Sequence, residues 1–320
     1  MHSGRFPSVR PPRSAVTAAV RLAAATVPLP DGRRLACTAL GPPDGLPLVQ
    51  LHGAIGTRPA RCPWTEQALE DAGVRLLLPQ RPGFGGSDPH PGRTLRSFAE
   101  DLGALADALG LARFAVLGVS AGGPYAAACA HRLGERVAVT ALISTTVPLR
   151  GPGAAPAATP LLALGARTVR HPRAARAAAR ALVAAVRARP DALIGLIERR
   201  GAAADRAHLT PERREQMTAA ILDAVAGGPD CVLEDLRLAL GPWGFSPAAV
   251  PGPVLVWHGR DDATVPVGHA LAHTATIRDR RTTVLPGDGH FFLRARLPAV
   301  LAAVRAAWSP VAAAPAREAA

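Results

Sequence analysis

The sequence predicts an α/β domain built on a mostly parallel sheet with helices on both faces. Short apolar runs typical of buried strands alternate with stretches of helical period in the first half of the chain. The strand pattern stops near residue 148 and returns after residue 246. We therefore expect one core, residues 19–148 and 246–308, interrupted by a helical segment over residues 149–245.

Each predicted strand is a short apolar or alternating run bounded by glycine, proline or polar turn residues. The runs cover residues 21–27, 33–40, 48–51, 74–78, 114–117, 137–145, 254–259 and 282–285. Helical periodicity predicts helices at residues 64–72, 95–109 and 123–133, another after residue 266, and a closing helix that ends near residue 308. Within the inserted segment, Thr210 before Pro211 predicts a helix start, and residues 227–229 predict a stop.

Composition excludes several classes of protein. No apolar run in the 320 residues is long enough to span a bilayer. The formal charge of +13 would suit a nucleic acid or a membrane surface. However, every basic residue is arginine and only 4% of residues are aromatic, whereas nucleic-acid surfaces interleave arginines with stacking rings. We expect a small-molecule substrate, no nucleic-acid or membrane partner, and a monomer or homodimer.

The termini and the cysteines predict a cytoplasmic protein with unstructured ends. The four cysteines are Cys37, Cys62, Cys129 and Cys231. They lack the paired spacing of a zinc site or redox couple, which favours reduced thiols. Residues 1–18, rich in proline and arginine, predict a disordered leader, and residues 309–320 a disordered tail. A secretory signal is the competing interpretation of the leader, but Arg21 interrupts its small-residue stretch.

The stretch Gly118-Val119-Ser120-Ala121-Gly122 follows an apolar run and precedes an alanine-rich helical pattern. A serine at such a strand-to-helix turn adopts strained dihedrals, and glycines two residues before and after it have no Cβ to clash. Pro124 suits the first helical turn, because its missing N–H would have no partner there. A glycine-serine-glycine triplet also occurs by chance, so its interpretation depends on an acid and a histidine further along the chain.

A second informative feature is His52-Gly53-Ala54 at the end of the third predicted strand. Gly53 lets the backbone turn closely, so a loop here can bring an N–H group towards the serine. We expect the amides of Ala54 and Ala121 to form an oxyanion hole. His52 itself is expected to be a hydrogen-bonded structural histidine.

Three other patterns favour structural roles. The glycine-rich loop at residues 81–88 lacks the Gly-Lys-Ser/Thr of a phosphate-binding loop. His269 and His273 lie one helical turn apart without the glutamate of a zinc-protease helix, so no metal is expected. An arginine stripe in the inserted segment could suit a membrane surface, but mostly alanine lies opposite, which favours a solvated face. The stripe consists of Arg173, Arg176, Arg180 and Arg187.

The candidate nucleophile Ser120 is followed by an acid after a late strand, Asp262, and then by His290. Of the folds that build a serine triad, this order is that of the α/β-hydrolases. The chain resembles that family over nearly its whole length. The motifs that carry the resemblance lie at residues 51–53, 81–88, 118–123, 259–266 and 289–291. The resemblance implies an eight-stranded, mostly parallel sheet and a helical lid at residues 149–245.

The resemblance also selects the acid. In the family it typically stands three residues after the strand-ending glycine and four before a proline, which favours Asp262 over Asp261. Asp288 is the rival, but it lies only two residues from His290, too short a separation to place it behind the ring. One departure is Gln80, where many relatives have aspartate.

In the chemistry so implied, His290 takes the proton of Ser120, Asp262 orients the imidazole, and hydrolysis passes through an acyl-enzyme. No metal and no organic cofactor is required. A serine nucleophile argues against the dehalogenases and epoxide hydrolases of the family, which use aspartate. Esterases, proline-releasing aminopeptidases, carbon–carbon bond hydrolases and cofactor-free haloperoxidases remain.

The large side chains of the inserted segment predict a mainly apolar pocket. They are Leu161, Leu162, Leu193, Ile194, Ile197, Met217, Ile221, Leu222, Trp243 and Phe245. We therefore expect a small ester-like substrate, with Gly53, Trp243 and Phe291 as substrate contacts. A non-catalytic small-molecule receptor is the alternative, because an intact triad alone does not exclude it.

Overall fold

The computed structural model describes residues 23–54, 63–150, 154–156, 163 and 172–308. The predicted leader at residues 1–18 and tail at residues 309–320 lie outside these ranges, as do Cys62, Leu161 and Leu162. The cysteines within them are free thiols: Cys37, Cys129 and Cys231.

Eight strands form one sheet in the order β1-β2-β4-β3-β5-β6-β7-β8. They are β1 (Ala23–Pro28), β2 (Arg34–Leu40), β3 (Leu46–Leu51), β4 (Val74–Pro79), β5 (Phe114–Val119), β6 (Val137–Ile143), β7 (Val254–Gly259) and β8 (Arg280–Leu285). Strand β2 runs antiparallel to both β1 and β4, whereas each neighbouring pair from β4 to β8 is parallel. The predicted mostly parallel α/β sheet is confirmed.

Helices connect the parallel strands. Helices α1 (Pro63–Ala72), α2 (Leu95–Ala108) and α3 (Gly123–Leu133) follow β3, β4 and β5. Between β6 and β7 lie α4 (Pro172–Ala188), α5 (Pro190–Arg200), α6 (Ala203–Ala207), α7 (Pro211–Ala226) and α8 (Pro229–Leu240), which we call the helical insertion. Helix α9 (Val267–His273) follows β7, and α10 (Leu293–Ala307) follows β8.

Strand β5 lies in the middle of the sheet, and its side chains alternate between two buried layers. Phe114 and Val116 pack with residues of α2 and α3, whereas Ala115 and Leu117 pack with α1 and α10. A strand covered on both faces is apolar at every position. This is why the sequence alone predicts this strand.

The helical insertion has a hydrophobic cluster of its own. Its buried members are Val183, Val186, Ile194, Leu209, Met217, Ile221 and Val225. Phe291, in the loop after β8, packs against this cluster. The insertion therefore contacts the same loop that carries His290.

The arginine stripe lies on the exposed side of α4, opposite Ala175, Val183 and other buried residues. Within it, Arg176 forms an ion pair with Asp230 at 2.9 Å. The arginines are thus exposed rather than part of the core, and their role as a solvated face stays a prediction.

Local interactions explain where one predicted helix begins and where one predicted strand ends. Helix α7 begins at Pro211, as predicted, and the Thr210 side chain accepts a hydrogen bond from the N–H of Arg213. Strand β6 ends at Ile143, earlier than the predicted residue 145. The reason is Ser144, whose φ of 45° does not continue a strand.

Candidate active site

Ser120 lies at the tip of the turn between β5 and α3, with a φ of 52°. Positive φ is uncommon for a residue with a side chain and costs free energy. Close packing holds the turn in this form. A Cβ on Gly118 would lie 2.4 Å from the carbonyl oxygen of Gly122, and one on Gly122 would lie 2.3 Å from that of Leu51. Both glycines are therefore required by the backbone path around Ser120.

The structure brings the three predicted triad residues together. The Oγ of Ser120 lies 3.1 Å from Nε2 of His290, and Nδ1 of His290 lies 2.8 Å from Oδ2 of Asp262. Each residue follows the carboxyl end of a different parallel strand, β5, β7 or β8. Such ends meet at one edge of the sheet, which explains how residues so distant in sequence form one hydrogen-bonded path.

The carboxylate of Asp262 is held on both oxygens. Its Oδ1 accepts hydrogen bonds from the N–H groups of Thr264 and Val265, each at 2.8 Å. Its Oδ2 faces His290 and also Nε2 of the fully buried His258, at 3.1 Å. His258 lies 2.8 Å from the carbonyl oxygen of Val265 as well, so it ties Asp262 to the following loop. In the sequence, His258 is part of a predicted strand, and no pattern there indicates this contact.

The two rival aspartates are engaged elsewhere. Asp288 accepts a hydrogen bond from Nε of Arg296 at 2.9 Å, and its carbonyl oxygen accepts the N–H of Asp261. Asp261 is exposed. The geometry therefore places Asp262, and not Asp288, on the Nδ1 side of the His290 ring.

The electrostatics of the pair follow from burial and contact. Burial alone would raise the pKa of Asp262, but the charge of His290 and the hydrogen bonds from His258 and His290 lower it well below its usual range. Burial opposes a charge on His290, but the charge and hydrogen bond of Asp262, together with the charge of Asp205, raise its pKa above the ordinary value. The carboxylate thus stays ionised, and the imidazole is a stronger base than a free one.

The loop after β3 passes directly beside the serine. A Cβ on Gly53 would lie 3.5 Å from the Cβ of Ser120, an ordinary contact distance. Ala54 follows Gly53 at the edge of the described residues, and Ala121 is buried next to Ser120. The backbone of this loop therefore lies next to the Ser120 side chain.

A buried arginine holds the same loop. Arg81, which is 0% exposed, donates through Nη1 to the carbonyl oxygen of His52 and through Nη2 to that of Gly53, the latter at 3.2 Å. Its guanidinium also makes two bonds of 2.8 Å to the carboxylate of Asp235 in helix α8. The helical insertion is thus joined to the loop beside Ser120 through one fork-shaped ion pair.

Asp235 is the centre of a larger buried polar cluster. It also accepts from the hydroxyl of Tyr125 at 2.8 Å and from Arg93 at 3.4 Å, while Arg93 pairs with Glu234 at 3.1 Å. Burial alone would raise the pKa of Asp235, but the charges of Arg81 and Arg93 lower it. Two arginines and two carboxylates balance, so the cluster places no net charge in the interior.

His52 has a structural environment. Its Nδ1 lies 2.8 Å from the carbonyl oxygen of Gly53, and its Nε2 accepts the N–H of Arg81 at 3.5 Å. Burial and the charge of Arg81 lower its pKa to about 3, so the ring is neutral at physiological pH. It donates to the loop and takes no part in the path from Ser120.

The predicted substrate contacts separate into two groups. Gly53 adjoins Ser120, and the Phe291 ring stands edge-on to the His290 ring with centroids 5.3 Å apart. The structure does not bring Trp243 to Ser120 and His290. Its ring is buried in the layer beside α3, in contact with Phe245 and His273.

Comparison with known proteins identifies the fold family. The family model for the alpha/beta hydrolase fold matches residues 47–293. The chain belongs to the alpha/beta hydrolase fold family. No curated protein sequence matches the chain.

Solved alpha/beta hydrolases share the architecture at low sequence identity. A thermophilic esterase from Thermogutta terrifontis is 24% identical with a TM-score of 0.66, and the match covers 90% of this chain and 100% of that one. A bromoperoxidase from Bacillus anthracis is 21% identical with a TM-score of 0.65, over 89% and 99% of the two chains. A meta-cleavage product hydrolase from Pseudomonas fluorescens is 20% identical with a TM-score of 0.61, over 88% and 96%.

Gln80, the departure noted from the resemblance, lies directly before Arg81. It is buried, and its Oε1 accepts no hydrogen bond from the described residues. Asp235 supplies the counter-charge of Arg81.

Neither a metal centre nor a membrane span is found in the part of the chain that the structure describes. No group of three or more histidine, cysteine, aspartate or glutamate side chains there has the arrangement of a metal site. None of the helices described is both long and apolar enough to cross a bilayer. His273, one of the two histidines in α9, packs against Trp243.

Removing Asp235 should destabilise the protein strongly. In Asp235→Ala, Arg81 and Arg93 stay buried without their shared counter-charge, which typically costs about 3–5 kcal/mol. Urea unfolding monitored by circular dichroism measures the free energy of unfolding. The matched control is Asp230→Ala, whose exposed pair with Arg176 should contribute less than about 1 kcal/mol. Equal losses in the two variants would show that the cluster does not stabilise the fold.

Proposed function

We propose that the chain is a serine hydrolase that cleaves small, mainly apolar esters through an acyl-enzyme. The observation that carries the proposal is the unbroken hydrogen-bonded path from Ser120 through His290 to Asp262. A serine hydroxyl is a weak nucleophile until a base removes its proton, and this path supplies the base and a group that orients it.

In the acylation step, Oγ of Ser120 attacks the ester carbonyl carbon while its proton passes to Nε2 of His290. Asp262 accepts the hydrogen bond of Nδ1–H, which keeps Nε2 free to act as the base and stabilises the imidazolium. The carbonyl oxygen takes up the electron pair and becomes an oxyanion. When the adduct collapses, the bond to the alcohol oxygen breaks, and His290 returns its proton to that leaving oxygen.

Deacylation repeats these steps with water. His290 removes a proton from water, the hydroxide oxygen attacks the acyl carbon, and the bond to Ser120 breaks as the proton returns to Oγ. The N–H groups of Ala54 and Ala121 stabilise the oxyanion in both halves of the reaction. One such donor typically contributes about a hundred- to a thousand-fold in rate.

The substrate class rests on the residues around the hydrogen-bonded path from Ser120 to Asp262. Phe291 stands beside His290 and packs on the apolar cluster of the helical insertion, which supports an apolar acyl or alcohol group. The insertion serves as a lid over a core of residues 19–148 and 246–308. The fold is also that of the esterase, bromoperoxidase and meta-cleavage product hydrolase named above. A cytoplasmic location and a monomeric or homodimeric state stay predictions.

Ser120→Ala should abolish both labelling and turnover. A fluorophosphonate probe should label the wild-type protein at Ser120, and p-nitrophenyl esters should be hydrolysed. The variant should not be labelled, and its kcat should fall by roughly a million-fold. Mass spectrometry of the labelled peptide and a colorimetric assay measure the two effects, with the exposed Ser246→Ala as control.

Two results would contradict the proposal. Folded wild-type protein that is not labelled would show that Ser120 is not an activated nucleophile. Labelling accompanied by a single burst of p-nitrophenol, with turnover no faster than ligand exchange, would instead support the receptor alternative. A panel that includes proline arylamides and lactones tests the other serine chemistries.

The two nearby aspartates should differ sharply. Asp262→Asn should lower kcat by roughly ten-thousand-fold, because an amide favours the wrong tautomer of His290. Asp288→Asn keeps the path intact and should cost less than about tenfold. Steady-state kinetics on one p-nitrophenyl ester give both values, and the reverse ranking would assign the acid to Asp288.

Activity should rise with pH through the titration of His290. The ring accepts the serine proton only when neutral, so protonation below its pKa removes the base. Because the charge and hydrogen bond of Asp262 and the charge of Asp205 raise that pKa, the acid limb of kcat/KM should have its midpoint above about 6.5, the ordinary histidine value. A midpoint below that value would contradict the electrostatics described above.

A further inference from the structure

Asp205, in helix α6 of the insertion, is a buried carboxylate with incomplete bonding. It is 1% exposed, and its Oδ2 accepts no hydrogen bond from the described residues. Burying a carboxylate without an ion pair is costly, and natural proteins rarely retain one without a role. By contrast, the carboxylate of Asp235 in α8 makes bonds with both of its oxygens.

The position of Asp205 suggests what the role is. Its Oδ1 accepts the N–H of Phe291 at 2.8 Å. Its carboxylate lies flat against Gly289, since a Cβ built on Gly289 would be 2.4 Å from Cγ and from both carboxylate oxygens. Gly289 and Phe291 flank His290, so the carboxylate lies over the backbone segment that carries the imidazole.

The other groups around His290 are already engaged. Asp262 faces Nδ1 and is shared with His258, while Ser120 faces Nε2. Asp288, in the same loop, is paired with Arg296 of α10. The hydroxyl of Ser144 donates to the carbonyl oxygen of His290 at 3.2 Å. Asp205 is thus a second carboxylate next to the backbone segment that carries the ring, and it comes from the insertion.

Resting on the proposed function, we propose that Asp205 is a positioning residue for His290. It holds the segment of residues 289–291 through the N–H of Phe291, and its unpaired charge stabilises the imidazolium that forms when the ring takes the serine proton. Because Asp205 belongs to the insertion, the insertion contributes directly to the strength of the base. The charge of Asp205 indeed raises the pKa of His290, in addition to the larger contribution of Asp262.

The test separates the charge from the hydrogen bond. Asp205→Asn keeps an oxygen for the N–H of Phe291 but removes the charge, whereas Asp205→Ala removes both. In Asp205→Asn, the acid limb of kcat/KM should move to lower pH by at least about half a unit, and kcat should fall by about tenfold with little change in KM. Asp205→Ala should show the same shift with a further loss of kcat. Asp191→Asn, an exposed insertion carboxylate, should leave the profile unchanged.

A second measurement does not depend on turnover. Proton NMR titration of the His290 ring, assigned with His290→Gln, should show a lower pKa in Asp205→Asn than in the wild type. An unchanged titration midpoint and pH profile in an active, folded variant would overturn the role of Asp205 and leave the hydrolase proposal intact. If the wild type has no hydrolase activity, the hydrolase proposal is overturned. The NMR titration would then still decide whether Asp205 affects the pKa of His290.

Folding of the variants decides the remaining case. If Asp205→Asn does not fold, Asp205→Ser offers a smaller uncharged acceptor for the same two measurements. Failure of both variants to fold would overturn the proposal, because Asp205 would then serve the stability of the insertion rather than the strength of the base.

Discussion

The backbone conformation of Ser120 is the constraint on which the site depends. Its φ of 52° lies in a region that costs about 1–3 kcal/mol, and the turn persists because its surroundings leave no alternative path. Gly118 and Gly122 approach neighbouring carbonyl oxygens so closely that no larger residue fits. The result is a hydroxyl held above the sheet edge, where loops from β7 and β8 can reach it.

The helical insertion acts on this site through two buried carboxylates of different character. Asp235 is permanently paired with Arg81, which in turn fixes the carbonyl groups of the loop beside Ser120. Asp205 contacts the loop of His290 instead. The insertion is therefore joined both to the loop of Gly53, through Arg81, and to the loop of His290, through Asp205.

The order of the motifs was sufficient to predict that Ser120, Asp262 and His290 come together. Each of them follows an apolar run that the sequence identifies as a strand. Asp205 and Asp235 gave no such signal. An acidic residue in an arginine-rich helical region predicts a solvated ion pair, and its burial depends on how the insertion packs. Trp243 is the opposite case. Its apolar ring was expected to contact the substrate, but it packs beside α3 with Phe245.

The two carboxylates also explain how an arginine-rich chain can place negative charge at its site. Most arginines of a protein with a formal charge of +13 can lie in water, as the stripe on α4 does. The buried arginines of the described residues, Arg81 and Arg93, are matched by Asp235 and Glu234, so the cluster carries no net charge. Among the described residues Asp205 pairs with no arginine, so in our proposal the imidazolium of His290 balances its charge. An arginine permanently paired with Asp205 would cancel its charge. Asp205 could then no longer stabilise the imidazolium, the positive charge that the reaction creates.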